Sequence, residues 1–283
     1  MQRLVPHLLV VCLIASGCTT LDVADESATA HDNVDAIVWL QTSTEYAAAA
    51  SSVYAGATAA LQELTNTDSA DTSEMAVVLD VDETVLDNSR YQAQLVFDQA
   101  TYNSETWDDW IELRAAPAVP GVVEFVRTAQ SLGVHVAFIT NRSCRERPGT
   151  TEVCPQKTDT LANLADVGID TQSVSLLLRG ERPEGPCSAR LIESEQADGT
   201  WSSDKTSRRE CVRLDREIVM LFGDQLGDFT NEHDDSDMQH GRSTAADYSD
   251  RWGRSWFMLP NPTYGDWKPS TFPEKQTKIR GVR

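Results

Sequence analysis

Two aspartates one residue apart, Asp80 and Asp82, follow the apolar run Met75 to Leu79 without a break. Side chains two apart on an extended chain point the same way, so both carboxylates can face one site. Two other apolar runs end in residues with complementary chemistry. "VHVAFIT" leads into Thr140-Asn141, a hydroxyl and an amide that can donate hydrogen bonds to a phosphoryl oxygen. "EIVMLFGD" ends in Gly223-Asp224, with Asp228 four residues on, and a helix starting there would put Asp224 and Asp228 near one face. Gathering Asp80, Asp82, Asp224 and Asp228 in one cleft makes like charges repel and forces protonation unless a cation joins them. Magnesium meets that need, because it prefers oxygen ligands, keeps several waters and accepts a phosphate oxygen as a further ligand. Zinc fits poorly, since there is no CxxC pair and the five histidines are scattered.

The elements that must carry these residues are legible as an alternation. Four short runs rich in β-branched residues, "MAVVLD", "VHVAFIT", "SVSLLL" and "EIVMLFGD", are separated by helical segments such as "PAVPGVVEFVRTAQSLG" and "KTDTLANLADVGI". Strands alternating with helices imply an α/β fold, a doubly wound parallel sheet covered on both faces. Ligands of such a sheet bind at the carboxyl ends of its strands, where the motif residues stand. Ahead of the first strand lies an Ala-rich segment that reads as one long helix or two, with Asp32 or Asn33 as N-cap. Alanine gives helix propensity but little burial, so this segment is expected to pack as an appendage on the core. Long polar stretches near 180–204 and 230–253 read as surface insertions, and no internal repeat is present.

With 44 acidic against 24 basic residues the formal charge is −20, which repels nucleic acid and excludes it as a partner. Residues 1–17 have the make-up of an export signal, and their end, Ala15-Ser16-Gly17 before Cys18, resembles the bacterial lipobox. Cys18 would then carry lipid, residues 18–31 would form a tether, and the anchor would hold the protein to a membrane without spanning it. Thr19, not aspartate, follows Cys18, which by the lipoprotein sorting rule points to the outer membrane. Four cysteines remain for the mature chain, Cys144, Cys154, Cys187 and Cys211. In an oxidising compartment an even set suggests disulfides. Of the three connectivities, sequential pairing is favoured because it closes two loops in irregular stretches.

The ordered set "VVLDVDETVLDNS", "FITNR", "DKTSRR", "GDQLGDF" and "LPNPTYGDW", with "WLQTSTEY" near the start and the lipobox, resembles the haloacid dehalogenase superfamily. More narrowly it resembles the class C nonspecific acid phosphatases, bacterial surface lipoproteins that act as phosphomonoesterases and 5′-nucleotidases. The resemblance implies Asp80 as the nucleophile and Asp82 as acid and then base. It implies Thr140 and Asn141 around the phosphoryl group, with Lys205 neutralising it. It places Asp80, the Asp82 carbonyl and Asp224 on magnesium with Asp228 in support, and Trp107 and Tyr264 around an aromatic leaving group. Arg208 and Arg209 rival Lys205 as the cation. No large separate cap domain is expected; small inserts and the N-terminal helices would wall an open site.

Plainer readings stand beside these. The segment after Asp80 is no calcium loop, because Val85 and Tyr91 occupy the positions that need glycine and glutamate. Asp87 and Asn88 are expected to cap the next helix. Trp107, Trp110, Tyr264 and Trp267 are on composition alone packing residues, the run from Glu232 to Asp237 is a solvated loop, and "KQTKIRGVR" is a solvated end. The alternatives in function are a phosphotransferase or sugar-phosphate phosphatase on the same scaffold, or a noncatalytic surface-binding lipoprotein. The sequence carries no sign of an oligomeric state.

Overall fold

The computed structural model describes residues 32–67, 70–231 and 245–279. The expected signal, tether and Cys18, and the part of the second insertion at 232–244, lie outside the described residues.

Five parallel strands form one sheet in the order β3-β2-β1-β4-β5. They are β1 (Met75–Leu79), β2 (His135–Ser143), β3 (Ser175–Arg179), β4 (Glu217–Gly223) and β5 (Trp256–Met258). The first four are the apolar runs read from the sequence. The fifth is three residues long, too short to show a period, and pairs through Leu221 with Trp256 and Phe222 with Phe257. The chain moves outward from β1 to β2 and β3, then restarts on the other side at β4, so the order reverses between β1 and β4. A crevice opens at the carboxyl ends where such a reversal occurs.

The helices are α1 (Val34–Thr42), α2 (Thr44–Thr65), α3 (Ser89–Phe97), α4 (Ser104–Leu113), α5 (Val122–Ser131), α6 (Pro155–Asp166), α7 (Glu193–Gln196), α8 (Thr206–Val212) and α9 (Phe272–Lys278). Ser43 splits the Ala-rich segment: its hydroxyl accepts from Tyr46 N at 3.0 Å and caps α2. Asn33 occupies the N-cap of α1 but makes no side-chain cap bond. On α2, Tyr46, Ala50, Tyr54, Ala57 and Leu61 recur every three or four residues and are all buried. That stripe joins the main hydrophobic core, with the Tyr54 ring stacked on Phe222 at 5.6 Å and tilted against Phe125 at 5.7 Å. Alanine's small size is what permits so close an approach, so the segment lies deeper than its composition implied. Gly121, at φ +94°, completes the fit, because a Cβ there would meet Tyr54 Cβ at 3.0 Å.

Both disulfides pair sequentially, Cys144 with Cys154 and Cys187 with Cys211. The second ties the 180–204 stretch to α8. That stretch is more than a surface excursion. Trp201 is buried, and the buried Glu195 carboxylate accepts from Ile192 N, Ser202 N and the Ser207 hydroxyl. A polar sequence thus folds around an internal acceptor.

The Tyr54 hydroxyl donates to the Thr84 carbonyl at 2.6 Å inside the core. Tyr54→Phe keeps the ring and removes the donor, so urea unfolding should show a loss of about 1–3 kcal/mol with an unchanged m-value.

Candidate active site

Asp80 is the first residue past β1, and its N–H still extends the ladder by donating to Phe222 O at 3.0 Å. The chain then turns back sharply. Val85 N and Leu86 N both donate to Val81 O at 2.8 Å, and Glu83 sits at φ +57°. The turn buries Val81, Val85 and Leu86 and fixes the direction of the Asp80 carboxylate.

Lys205 reaches that carboxylate from the start of α8. Its ammonium donates to Asp80 Oδ1 and, at 2.5 Å, to Asp228 Oδ1. Asp204 accepts from Thr206 N at 2.7 Å and starts the helix at the right place. The rival arginines are engaged elsewhere. Arg208 donates to Thr140 O at 2.5 Å and Asn141 Oδ1 at 2.7 Å, and Arg209 donates to the carbonyls of Gly227 and Asp228. By holding the Asn141 oxygen, Arg208 leaves the amide N–H₂ free to face the cavity.

No helix begins at Asp224. A single 3₁₀ turn, Leu226–Asp228, follows instead, and Asp228 Oδ2 folds back to accept from Asp224 N at 3.1 Å and Gln225 N at 3.0 Å. Gly223 makes this possible, because a Cβ there would lie 2.2 Å from the Asp228 side chain. Asn261, from the segment after β5, donates to Asp224 Oδ2 at 2.8 Å. One carboxylate oxygen each from Asp80, Asp224 and Asp228 lies within 4.8 Å of the others.

The donor set is all oxygen, which suits a hard divalent cation. The charge balance points the same way. Burial, with Asp228 adding, raises Asp80 to about 7 although Lys205 opposes the rise. Burial, then Asp228 and Asp80, push Asp224 well above the usual carboxylate range. For Lys205, burial alone would lower its pKa, but Asp228 and Asp80 outweigh it and hold the ammonium above its ordinary value. One ammonium does not balance this much buried negative charge, and a divalent cation held by Asp80, Asp224 and Asp228 would.

Asp82 has other partners. Its Oδ1 accepts from Arg142 Nη2 at 2.8 Å, Arg142 Nε at 3.0 Å and Asn88 Nδ2 at 3.0 Å. The Asp82 carboxylate is thus paired with a buried guanidinium, and the acidic cluster among the described residues is formed by the other three; the expectation that puts Asp82 on the metal concerns its backbone carbonyl. Thr140 is fully buried beneath it, its hydroxyl donating to Asp82 Oδ2 at 3.3 Å and accepting from Arg142 N at 3.0 Å. Asn88 is corrected as a cap. It makes no side-chain cap bond, and its amide bridges Asp82 to Trp110 Nε1 while Asp87 accepts from Ser89 N.

These groups open onto a cavity of about 950 Å³ whose lining includes Asp80, Asp82, Asn141, Asp224, Trp107 and Tyr264. Its walls come chiefly from α3, residues 100–102 after it and the C-terminal segment 263–275; α4 contributes Trp107, and the 180–204 stretch contributes only at its end, near Ser203 and Asp204. Trp107 meets the edge of Tyr91 at 4.9 Å between centroids and lies 5.7 Å from Arg142 Cζ. The Tyr264 hydroxyl donates to Glu83, a buried acid held well above the carboxylate range by burial and by Asp82 and Asp224.

Arg142, Glu83 and Asn261 escaped the sequence reading, and Asn88 entered it only as a cap. For Arg142 the signal was present, since the alternation that pairs Asp80 with Asp82 also pairs Thr140 with Arg142 across the exposed Asn141. Asn261 offers none, because only the fold brings it to Asp224.

A parallel sheet whose strand ends gather aspartates around a lysine from the start of α8 defines an α/β protein with an acidic site at its switch point. The chain belongs to the HAD superfamily, subfamily IIIB (acid phosphatase), whose model it matches over residues 12–267. It superposes on the class C acid phosphatase from Bacillus anthracis with a TM-score of 0.70 at 27% identity, over 90% of this chain and 99% of that one. The tungstate-bound form of that enzyme gives 0.71 at 27% identity, over 91% and 100%. Among curated relatives, it is 28% identical to acid phosphatase 1 of Solanum lycopersicum over 66% of this chain and 57% of that protein. It is 26% identical to a stem 28 kDa glycoprotein of Glycine max over 66% and 58%. The chain therefore spans little more than half the length of these curated relatives.

With divalent cations chelated, thermal stability should fall as pH rises from about 4 to about 7, because folded Asp80 titrates near 7 and an unfolded aspartate near ~3.9. The folded state binds more protons across that window, so stability is full below it and lost as pH climbs; a melting series should show this slope flattened in Asp80→Asn. Gly223→Ala displaces Asp228, and calorimetric titration with manganese should show affinity weakened by roughly tenfold or more.

Proposed function

We propose that the protein is a magnesium-dependent acid phosphatase that hydrolyses phosphomonoesters, nucleoside 5′-monophosphates foremost, through an aspartyl-phosphate on Asp80. The observation that carries this reading is the Asp80 carboxylate. It is held by Lys205 at the floor of an open cavity, within 4.8 Å of the oxygens of Asp224 and Asp228. Binding of tungstate, a tetrahedral oxyanion, by the Bacillus anthracis enzyme supports a phosphate-shaped site in this fold.

Magnesium held by Asp80, Asp224 and Asp228, with the Asp82 carbonyl as the family resemblance implies, would supply positive charge against the phosphoryl oxygens. Asp80 attacks phosphorus as the bond to the leaving oxygen breaks, and Asp82 gives that oxygen its proton. Water then attacks the Asp80-bound phosphoryl group and gives its proton to Asp82. The Asp80–phosphorus bond breaks and inorganic phosphate leaves. Two easier displacements replace a difficult one. Lys205 offsets the dianion, the principal demand in phosphoryl transfer. The Asn141 amide, turned by Arg208, donates to a phosphoryl oxygen, and Thr140 holds Asp82 from below. Trp107 and Tyr264, in the same cavity, offer aromatic faces to a nucleobase.

The proposed setting is outside the cytoplasm, with lipid on Cys18 holding the protein at the outer membrane. No described helix is long and apolar enough to cross a membrane.

The test is turnover of a panel of phosphomonoesters, with and without a chelator and with and without an alcohol acceptor. Chelation should stop hydrolysis and magnesium restore it. Asp80→Asn should lower turnover by about 10⁴-fold or more while circular dichroism stays that of the wild type. Substantial turnover in that variant removes Asp80 as nucleophile; alkyl phosphate formed with the acceptor favours the phosphotransferase.

A further inference from the structure

Arg142 is a buried guanidinium, 1% exposed, that the reaction above does not use. It lies at the carboxyl end of β2 and meets three elements at once. Nε and Nη2 grip Asp82 Oδ1 at 3.0 and 2.8 Å. Nη1 donates to Thr160 Oγ1 of α6 at 3.1 Å. Its Cζ lies 5.7 Å from the centre of the Trp107 ring on α4, within range of a cation–π contact. The grip on Asp82 is lopsided. With Asn88, three donors at 3.0 Å or less converge on Oδ1, whereas Oδ2 has only Arg142 Nε and Thr140 Oγ1, both at 3.3 Å. Oδ1 is saturated and Oδ2 is the oxygen left to exchange a proton.

We propose that Arg142 is a positioning residue that fixes the Asp82 carboxyl with Oδ2 toward the leaving group and locks that acid to the aromatic wall at Trp107. It thereby determines how well the enzyme expels alcohols that need a proton. The proposal rests on the reading of Asp82 as proton donor. In that step the Asp82 O–H bond breaks and the proton passes to the leaving oxygen as its bond to phosphorus breaks. An alkoxide, such as the 5′-oxygen of a nucleoside, needs that proton. A 4-nitrophenolate leaves without it. A lysine would keep the charge but not the two-pronged hold, because a guanidinium fork matches a carboxylate and an ammonium does not.

The experiment compares Arg142→Lys and Arg142→Gln with wild type on glycerol 2-phosphate and on 4-nitrophenyl phosphate, and repeats Arg142→Lys in an Asp82→Asn background. The expected result is a kcat/KM loss of roughly a hundredfold on the alkyl ester and under about tenfold on the aryl ester. In the Asp82→Asn background the further loss on the alkyl ester should shrink below about threefold, because residues acting as one unit are not additive. Equal losses on both esters, or a loss that persists without Asp82, would overturn the proposal and leave Arg142 a packing residue. Arg142→Lys keeps the buried charge and decides the matter if Arg142→Gln does not fold. A wild-type protein inert on both esters would instead overturn the phosphatase reading, and this one with it.

Discussion

Buried negative charge with too little positive charge beside it is the constraint on which the rest of this structure depends. Asp80 and Asp228 are buried against one lysine, Asp224 lines the same cluster, and Asp82 and Glu83 follow within three residues of Asp80. Carboxylates out of water are costly unless paired. The fold answers by splitting the acids into two groups. Lys205 serves Asp80 and Asp228, and Arg142 serves Asp82. Burial first, and then the negative charge left unbalanced in the first group, raise Asp80 and Asp224 and make a divalent cation the natural complement there. The overall charge of −20 makes the same point at long range, since an anionic substrate approaches this protein only where the sign is locally reversed.

The outer elements hold this division in place. On one side, α2 packs Tyr54 against the core and donates a hydrogen bond to Thr84, inside the turn that aims Asp80 and Asp82. On the other, the loop closed by Cys144 and Cys154 carries Arg147, which pairs with Asp108 of α4 at 2.9 Å and Asp159 of α6 at 2.7 Å. Arg114 adds a second bond to Asp159 and Gln156 a further one to Asp108. Asp108 and Asp159 are buried, so these pairs are screened less than surface ones. Their effect is to hold α4, and with it Trp107, against the strand that carries Asn141 and Arg142.

Much of this was legible in the sequence because strand ends mark themselves. An apolar run followed by Asp-x-Asp, Thr-Asn or Gly-Asp shows both the strand and the residues at its carboxyl end, and those residues do meet. Lys205 was legible through its motif, and the structure separates it from Arg208 and Arg209, whose bonds go to carbonyls and to Asn141. Other features lay outside local pattern. β5 is too short to have a period, the turn at Leu226–Asp228 replaces a helix because Asp228 caps it internally, and Asn261 reaches Asp224 only through the tertiary fold. The depth of α2 was hidden for a different reason: alanine reads as weak burial, yet its small size lets the helix approach the sheet.

The divergence of Asp80 and Asp82 shows how a two-residue spacing yields two sets of partners. Asp80 still belongs to the sheet, with its N–H bonded to Phe222 O, so its side chain is directed by β1 and β4 toward the residues those strands deliver. By Asp82 the chain has left the sheet and bridges to Leu86, and its carboxylate falls within reach of Arg142 and Asn88. Alternation explains why both face the cavity, and the turn explains why they do not share partners. As the proposed nucleophile, Asp80 would benefit from a cation on a flexible stem that can be shared with an incoming phosphoryl group, and Lys205 offers one. In the proposed reaction Asp82 as proton donor and acceptor must keep one orientation through both halves, and a planar guanidinium bonded to α6 and lying near Trp107 would impose it. The different surroundings of the two aspartates thus follow from where the strand stops.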